Sequence, residues 1–183
     1  TVLTADNGRI LITAKGARSV RSKLLPMCRL FTYANFEFYE KNGRRWLSGG
    51  SVNDSFFGID ADICGFALAS YIVQLAHEIT GEGVPCEDIL RMTLNTLYAI
   101  STKLKPYDQI KSAYEIFAVS VSGFSPDVYE CAECGCYESE NDWWLDVMNG
   151  SIICVDCFGK RQGGAPIPDT DKLMTKNIFV SMD

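Results

Sequence analysis

Four cysteines near the end of the sequence have the spacing of a four-thiolate zinc site. Cys131-Ala-Glu-Cys134 and Cys154-Val-Asp-Cys157 are two Cys-x-x-Cys pairs separated by nineteen residues. Each pair places two sulfurs on one tight knuckle, and two facing knuckles supply the tetrahedron that structural zinc prefers. Gly135 and Gly159 follow the pairs and fit such knuckles, because glycine tolerates a positive φ. We therefore predict one structural zinc ion per chain, held by these four cysteines.

The same residues permit other cysteine chemistry. A disulfide or a redox-active Cys-x-x-Cys pair is one alternative, and Cys136 in place of Cys134 as a zinc ligand is another. A histidine-rich catalytic zinc centre lacks ligands, because the only histidine, His77, is far from the pairs in sequence. Three further cysteines stand singly in apolar surroundings, and we expect them to be small buried hydrophobic residues: Cys28, Cys64 and Cys86.

The charge of the chain is unevenly distributed. The 183 residues carry a net charge of −6, but residues 1–45 hold nine Lys or Arg against three acids, which gives +6. The remaining residues hold eight bases and twenty acids, which gives −12. A basic segment joined to an acidic remainder predicts that the N-terminal part contacts a polyanion. The alternative is a solvated basic face without a partner.

The basic segment has the pattern of β structure. Residues 9–15 are a short apolar strand, residues 16–23 a polar loop, and residues 30–39 alternate as a strand does. Asn42-Gly43 predicts a tight hairpin turn before a strand at residues 45–48. Because side chains alternate between the faces of a strand, only one set of the aromatic residues here can line a core. Outward aromatic rings beside Lys and Arg suit a single-stranded nucleic acid, whose bases stack while cations contact its phosphates.

From about residue 53 the pattern becomes helical. We expect a first helix that ends near Thr80-Gly81, a second over about residues 87–104, and a third that begins at Pro106 and ends at Gly123. The candidate N-caps of the first helix are Asn53, Asp54 and Asp60. His77, within this helix, is expected to be a packed or surface residue and not a catalytic base. The side chains expected to face inward from the first helix are Ile63, Phe66, Ala67, Tyr71, Leu75 and Ile79.

Two motifs resemble the RecO family of bacterial recombination mediators. The first runs from Gly8-Arg9-Ile10 to Lys15-Gly-Ala-Arg18, and the second from Gly123-Phe-Ser-Pro126 to Cys131-Ala-Glu-Cys-Gly135. The resemblance covers most of residues 4–158. It implies an α+β chain with an N-terminal OB-fold-like barrel and a helical domain that carries the zinc element. The predicted domains are residues 1–52 and 53–183, with the zinc knuckles at residues 131–157.

The ends of the chain differ from the family pattern. The chain opens on strand-like residues at Thr1, so we expect the barrel to lack its first strand. After Phe158 the chain offers one apolar patch, at residues 173–182, and we expect a short C-terminal subdomain.

The resemblance also implies a function. RecO-like proteins bind single- and double-stranded DNA, anneal complementary strands, and act with RecR and the single-strand-binding protein SSB to load the recombinase RecA. Such a protein works in the bacterial cytoplasm at the nucleoid. No signal peptide and no apolar run long enough to span a bilayer is evident in the sequence.

We expect the DNA-binding residues to be cations that contact phosphates. Binding and annealing require neutralised backbones and not bond chemistry, so we expect no enzyme activity. Two other functions remain open: a zinc-ribbon interaction module that binds RNA or an acidic protein, and an enzyme, either a thiol oxidoreductase or a zinc deaminase. The predicted DNA-binding residues are Arg9, Lys15, Arg18, Arg21, Lys23, Arg44 and Arg45.

Overall fold

A computed structural model of the chain describes residues 1–137, 143–146 and 148–161. The chain divides into two compact units, Thr1–Ala118 and Val119–Asp183. The predicted boundary between residues 52 and 53 falls inside the first unit and stays a prediction. The apolar patch expected at residues 173–182 lies outside the described residues.

The first unit has strands followed by helices, so the predicted α+β class is confirmed. Its five strands are β1 (Val2–Thr4), β2 (Gly8–Ile10), β3 (Ile12–Thr13), β4 (Tyr33–Lys41) and β5 (Arg44–Asp54). Short 3-10 turns lie at Pro26–Cys28 and Phe57–Ile59. The helices are α1 (Ile63–Ile79), α2 (Glu87–Ser101) and α3 (Tyr107–Val121), and α3 extends past the boundary between the units.

The strands form two small sheets. β1 pairs with β2 antiparallel, and the second sheet has the order β3-β5-β4. The predicted hairpin between β4 and β5 is confirmed, with Asn42 and Gly43 both at positive φ, as the tight turns of two-residue hairpins require. Within residues 1–54, no closed barrel is formed. The reason is that β3 pairs with β5 over only two residues, and the outer edge of β4 has no strand partner in the described chain.

The buried face of α1 differs from the predicted face. The buried residues are Gly65, Ala69, Ile72 and Ala76, whereas Ile63 is 85% exposed. A prediction from hydrophobic periodicity places the large apolar side chains on the buried face, but close packing of helices favours small ones there. A Cβ atom at position 65 would lie 2.9 Å from the Tyr107 hydroxyl oxygen, so a side chain there would have to displace the end of the Tyr107 side chain. The larger residues of the predicted stripe lie at the margins of the contact or in solvent.

The start of α1 also differs from the prediction. Its N-cap is Asp62, whose Oδ1 accepts a hydrogen bond from the Cys64 backbone N–H at 3.0 Å. None of the predicted caps, Asn53, Asp54 or Asp60, has this role. β5 continues to Asp54, whose carboxylate instead accepts from the N–H of Phe56. The long strand therefore moves the start of the helix towards the C-terminus.

The β1–β2 hairpin is joined to the loop that follows α1 by backbone hydrogen bonds. The Arg9 N–H donates to Gly81 O at 3.1 Å, and the Cys86 N–H donates to Ala5 O at 2.7 Å. Gly8 lies in this contact at a φ of +59°, and a Cβ there would lie 2.2 Å from Gly81 O. The glycine of the first motif is therefore required by the close approach of two backbone segments.

The second unit contains a small sheet and a short helix. Its elements are β6 (Asp127–Cys131), β7 (Trp143–Asp146), β8 (Ser151–Cys154) and α4 (Val155–Arg161). The sheet has the order β6-β8-β7, with β6 parallel and β7 antiparallel to β8. Cys131 ends β6 and Cys154 ends β8, so the sheet brings the two Cys-x-x-Cys pairs to the same edge.

Candidate metal centre and nucleic-acid interface

The four predicted zinc ligands lie together. The sulfurs of Cys131, Cys134, Cys154 and Cys157 are all within 4.8 Å of one another, and the sulfurs of Cys134 and Cys154 are 3.8 Å apart. Sulfurs placed tetrahedrally about 2.3 Å from a zinc ion would be separated by about 3.8 Å. The donor set and its spacing therefore fit a metal ion. All eight cysteines of the chain are free.

The environment of Cys131 favours a thiolate. Burial opposes the charged form, but backbone N–H groups of Cys154, Cys134 and Glu133 lower the pKa of the Cys131 thiol to about 6. The first of these is a hydrogen bond of 3.3 Å from the Cys154 N–H to the Cys131 sulfur. Hydrogen bonding to Cys154 raises the pKa of Cys157 to about 12. Ionising a second thiol beside the Cys131 thiolate is thus unfavourable, because the two negative charges repel each other. A bound dication would relieve that repulsion.

Cys136 lies outside the group of four sulfurs. Its thiol is nevertheless hydrogen-bonded to Cys134, which together with burial raises the pKa of Cys136 to about 12.

Of the three cysteines expected to be buried, only Cys86 is buried. Cys28 and Cys64 are exposed, so that prediction was wrong for both. Cys64 lies in the first turn of α1, outside its buried face.

The two knuckles have conformations that differ from each other. Gly135 has a φ of +70° and its N–H donates to Cys131 O at 2.8 Å, so the predicted role of this glycine is confirmed. Gly159 instead lies within α4 and is not at positive φ, so the prediction for it was wrong. The second pair is positioned by the start of a helix rather than by a glycine turn.

Among the residues that the structure describes, few apolar side chains pack around the four-cysteine centre. The buried cluster at this centre consists of Cys131, Ile153 and Cys154, with other residues partly buried around it. Trp144 stacks on Phe158 with ring centroids 4.4 Å apart, which fixes α4 on β7. A metal ion at the cysteines would crosslink this small cluster of described residues.

Arg161 joins three parts of the second unit. Its guanidinium contacts Glu133 in the first knuckle at 3.1 Å and Asp146 at the end of β7 at 3.0 Å. Hydrogen bonds from Asn149 and from Arg161 lower the pKa of the Asp146 carboxyl. No sequence pattern indicates these contacts, because both partners lie in other elements, and Asp146 is 15 residues away in the chain. Arg161, four residues after Cys157, is therefore bound within the protein.

Most of the predicted DNA-binding cations are exposed and unpaired. None of the seven forms an ion pair among the described residues, and six of them are exposed. Four of them lie on the loop between β3 and β4, and the other two begin β5 beside the hairpin turn. In chain order they are Lys15, Arg18, Arg21, Lys23, Arg44 and Arg45.

Arg9 is placed differently from the other six. It is partly buried, and its Nη1 lies 3.1 Å from both ring nitrogens of His77 on α1. A neutral imidazole can accept a hydrogen bond from this guanidinium. The contact joins β2 to α1 across 68 residues of sequence, so sequence patterns could not reveal it. The role of Arg9 in DNA binding stays a prediction. The His77 side chain is 44% exposed and contacts Arg9, which agrees with the expected packed or surface position.

The aromatic residues of the hairpin are divided between its two faces. Phe38 pairs with the buried Leu47, and both line an open pocket that Leu94 of α2 also lines. Tyr39 pairs with Trp46 on the opposite face, which carries Lys41 and Arg44 towards the turn. The rings alternate between the two faces, as expected, but the inner face is not closed off, since Phe38 on that face is 43% exposed, compared with 53% for Tyr39 on the outer face.

No helix in the described part of the chain is long and apolar enough to cross a membrane.

The strands and packed helices define a mixed α+β chain. Its exposed, unpaired cations form a candidate polyanion surface, and its four clustered cysteines form a candidate structural metal site. Two models of known protein families match this chain. The model described as Recombination protein O N terminal matches residues 1–56, and the model described as Recombination protein O C terminal matches residues 61–175. The chain belongs to the RecO family of DNA repair and recombination proteins.

Individual relatives agree with this assignment. The DNA repair protein RecO of Listeria innocua is 29% identical over 177 residues, which cover 97% of this chain and 68% of the relative. The DNA repair protein RecO of Alkaliphilus metalliredigens is 26% identical over 158 residues, covering 86% of this chain and 64% of the relative. The DNA repair protein RecO of Acetivibrio thermocellus is 25% identical over 169 residues, which cover 92% of this chain and 67% of the relative.

Proposed function

We propose that this protein is a non-enzymatic DNA-binding mediator of recombinational repair, which binds single- and double-stranded DNA and anneals complementary strands. The observation that carries the proposal is the set of six exposed cations on the strands and loop of the first unit, none of them neutralised by a carboxylate in the described chain. Membership of the RecO family supports the same role.

The proposed mechanism is electrostatic. Lys15, Arg18, Arg21 and Lys23 contact successive phosphates, and Arg44 and Arg45 extend the track from the hairpin. Each neutralised phosphate releases condensed counterions, which favours binding without reading sequence. Two strands whose phosphates are partly neutralised repel each other less, and their bases remain free to pair.

The four-cysteine centre has a structural role in this proposal. It holds one zinc ion, which fixes the two knuckles to each other and stabilises the second unit. Four thiolates around Zn²⁺ have a net charge of −2, so the centre repels phosphate and is suited to a protein contact instead. The further expectations from the family resemblance are RecR and SSB as partners in loading recombinase, and action at the nucleoid in the cytoplasm.

Annealing by the purified chain tests the proposal. Complementary fluorescent oligonucleotides should anneal faster with the protein than without it, and replacement of Arg18, Arg21 and Lys23 by Ala should abolish most of the acceleration. The matched control replaces three cations from the helical part of the same unit by Ala, so that the net charge changes equally. These control residues are Arg91, Lys105 and Lys111.

The loop variant and the control variant are expected to differ in annealing. Normal annealing by the control variant and loss of annealing by the loop variant would support the proposal. Equal loss in both would mean that total charge and not this surface is responsible. No annealing and no DNA binding by the unaltered chain would refute the proposal and favour an interaction module that binds RNA or an acidic protein.

A further inference from the structure

A small pocket opens on the outward face of the hairpin, next to its turn. Tyr39 and Trp46 are direct partners across β4 and β5, and Lys41 and Arg44 are the next pair on the same face. Lys15 approaches from the segment after β3, which runs parallel to β5. The cavity has a volume of about 510 Å³ and is lined by Lys15, Tyr39, Lys41, Asn42, Arg44 and Trp46.

The lining has an unusual combination of side chains. It contains three cations, two aromatic rings and one amide, but no carboxylate. Glu40, the acid next to Tyr39 in the strand, points to the opposite face because it lies between Tyr39 and Lys41. Its backbone partner across the hairpin is Arg45, and the two side chains form no ion pair. The pocket therefore offers concentrated positive charge directly beside π-faces.

The two rings differ in exposure. Tyr39 is 53% exposed and Trp46 is partly buried, so the Tyr39 ring is the more open of the two to a ligand. A cross-strand aromatic pair also stabilises a hairpin, and that is the simplest role for these rings. Hairpin stability alone does not require three unneutralised cations around the pair, because like charges at such short distance disfavour folding.

We infer that this pocket holds one unpaired nucleotide of single-stranded DNA. The base lies against Tyr39 and Trp46, its flanking phosphates lie between Lys15, Lys41 and Arg44, and the Asn42 amide can bond a base edge. The inference rests on the proposed DNA binding and adds a preference to it. In a duplex both faces of a base are covered by its neighbours, so only an unpaired base can enter.

The test compares two single strands that carry the same phosphates. One is an oligo-dT of about twelve nucleotides, a length within the range of single-strand binding sites, and the other is the same strand with abasic sites at every position. The unaltered protein should bind the dT strand about 5- to 150-fold more tightly, since one stacked base contributes that factor. A binding site made of phosphate contacts alone would not distinguish the two strands.

Two sets of variants separate stacking from charge. Tyr39→Val retains a residue that favours strands and should lower affinity for the dT strand at least about fivefold, with no change for the abasic strand or a duplex. Tyr33→Val, an exposed tyrosine of the same strand outside the pocket, is the control and should change none of these affinities. Lys41→Met should weaken binding to both single strands alike.

The outcomes distinguish this inference from the proposed function. Equal binding of dT and abasic strands by the unaltered protein would overturn the nucleotide pocket while leaving electrostatic DNA binding in place. That comparison needs no variant, so it remains decisive if Tyr39→Val does not fold. Absence of binding to either strand would overturn the proposed function and this inference with it.

Discussion

At Cys131, burial and hydrogen bonding act in opposite directions on one thiol. The side chain is 1% exposed, which disfavours charge, yet three backbone N–H groups aimed at it lower its pKa to about 6. Such donors would hold the sulfur in the ionised form that binds metal. The backbone of both knuckles thus prepares Cys131 to act as a metal ligand.

Cys131→Ser is predicted to lower bound zinc well below one ion per chain and to unfold the second unit. Structural zinc sites contribute about 10–16 kcal/mol of apparent folding free energy, which is as large as or larger than the usual stability of about 5–15 kcal/mol. Metal content after gel filtration and the near-UV circular dichroism of Trp143 and Trp144 measure the two effects.

Cys28→Ser is the matched control, because Cys28 is exposed and lies in the first unit. It should retain zinc and the tryptophan signal. Full zinc occupancy in Cys131→Ser would contradict the four-cysteine site. A chelator that abolished DNA binding without unfolding the second unit would contradict its purely structural role.

The residues of the centre show what spacing can and cannot predict. The four cysteines were predictable because Cys-x-x-Cys fixes two sulfurs through local backbone geometry alone. The environment of the site was not predictable, since Arg161, Trp144 and Phe158 reach it through contacts between separate elements. Arg9 gave the opposite result: its charge was evident in the sequence, but its contact with His77 was not.

Among the elements, helix α1 offers a direct test of the packing. Ile72→Ala should destabilise the first unit by about 2–5 kcal/mol, because Ile72 is fully buried between the helices. Ile63→Ala should change stability by no more than about 0.5 kcal/mol, because that side chain is 85% exposed. Urea unfolding followed by far-UV circular dichroism measures both. The reverse order would support the face predicted from hydrophobic periodicity.

The N-cap of α1 makes stability depend on pH. Hydrogen bonds from the Tyr107 hydroxyl and the Cys64 N–H, with Lys103 nearby, lower the pKa of the Asp62 carboxyl below its ordinary value of 3.8. A lowered pKa in the folded state means that the stabilisation is complete above the ordinary value and is lost as pH falls through the folded value. Thermal unfolding midpoints should therefore drop in this acid range.

Asp62→Asn separates the two contributions of this residue. Asparagine can still cap the helix, but it cannot titrate, so the variant should lose the part of the pH dependence that Asp62 causes. Asp62→Ala should lose the cap as well and melt lower than Asp62→Asn at neutral pH. Identical acid profiles for Asp62→Asn and the unaltered protein would refute this account of the cap.

The elements also show why predictions from local sequence signals were right and why the prediction of a closed barrel was wrong. Asn42-Gly43 fixes its turn through the φ angles of two neighbouring residues, so the hairpin was predictable from a few letters. The parallel pairing of Ile12 with Arg45 joins segments far apart in the chain and depends on the whole unit. The buried face of α1 similarly depends on which neighbour approaches, which is why Gly65 was overlooked.

At the scale of the whole molecule, the uneven charge of the sequence has a counterpart in structure. Carboxylates neutralise several cations of the helical part, as in the pairs of Arg91 with Asp88, Lys103 with Asp62 and Lys111 with Glu115. The exposed cations of the predicted DNA-binding set lack such partners in the described chain. Composition could therefore predict a polyanion surface, but only the structure separates Arg9 from it and adds Lys41, Tyr39 and Trp46.

The most direct test of electrostatic DNA binding is a titration of single-stranded oligonucleotide at several salt concentrations. The logarithm of the affinity should fall linearly with the logarithm of salt, with a slope of about 0.7 per phosphate contacted. Replacing Arg18, Arg21 and Lys23 together by Ala should reduce that slope by about 2, if each contacts one phosphate, and should weaken binding to all sequences alike. An affinity that does not change with salt, or a variant with an unchanged slope, would contradict electrostatic binding through this surface.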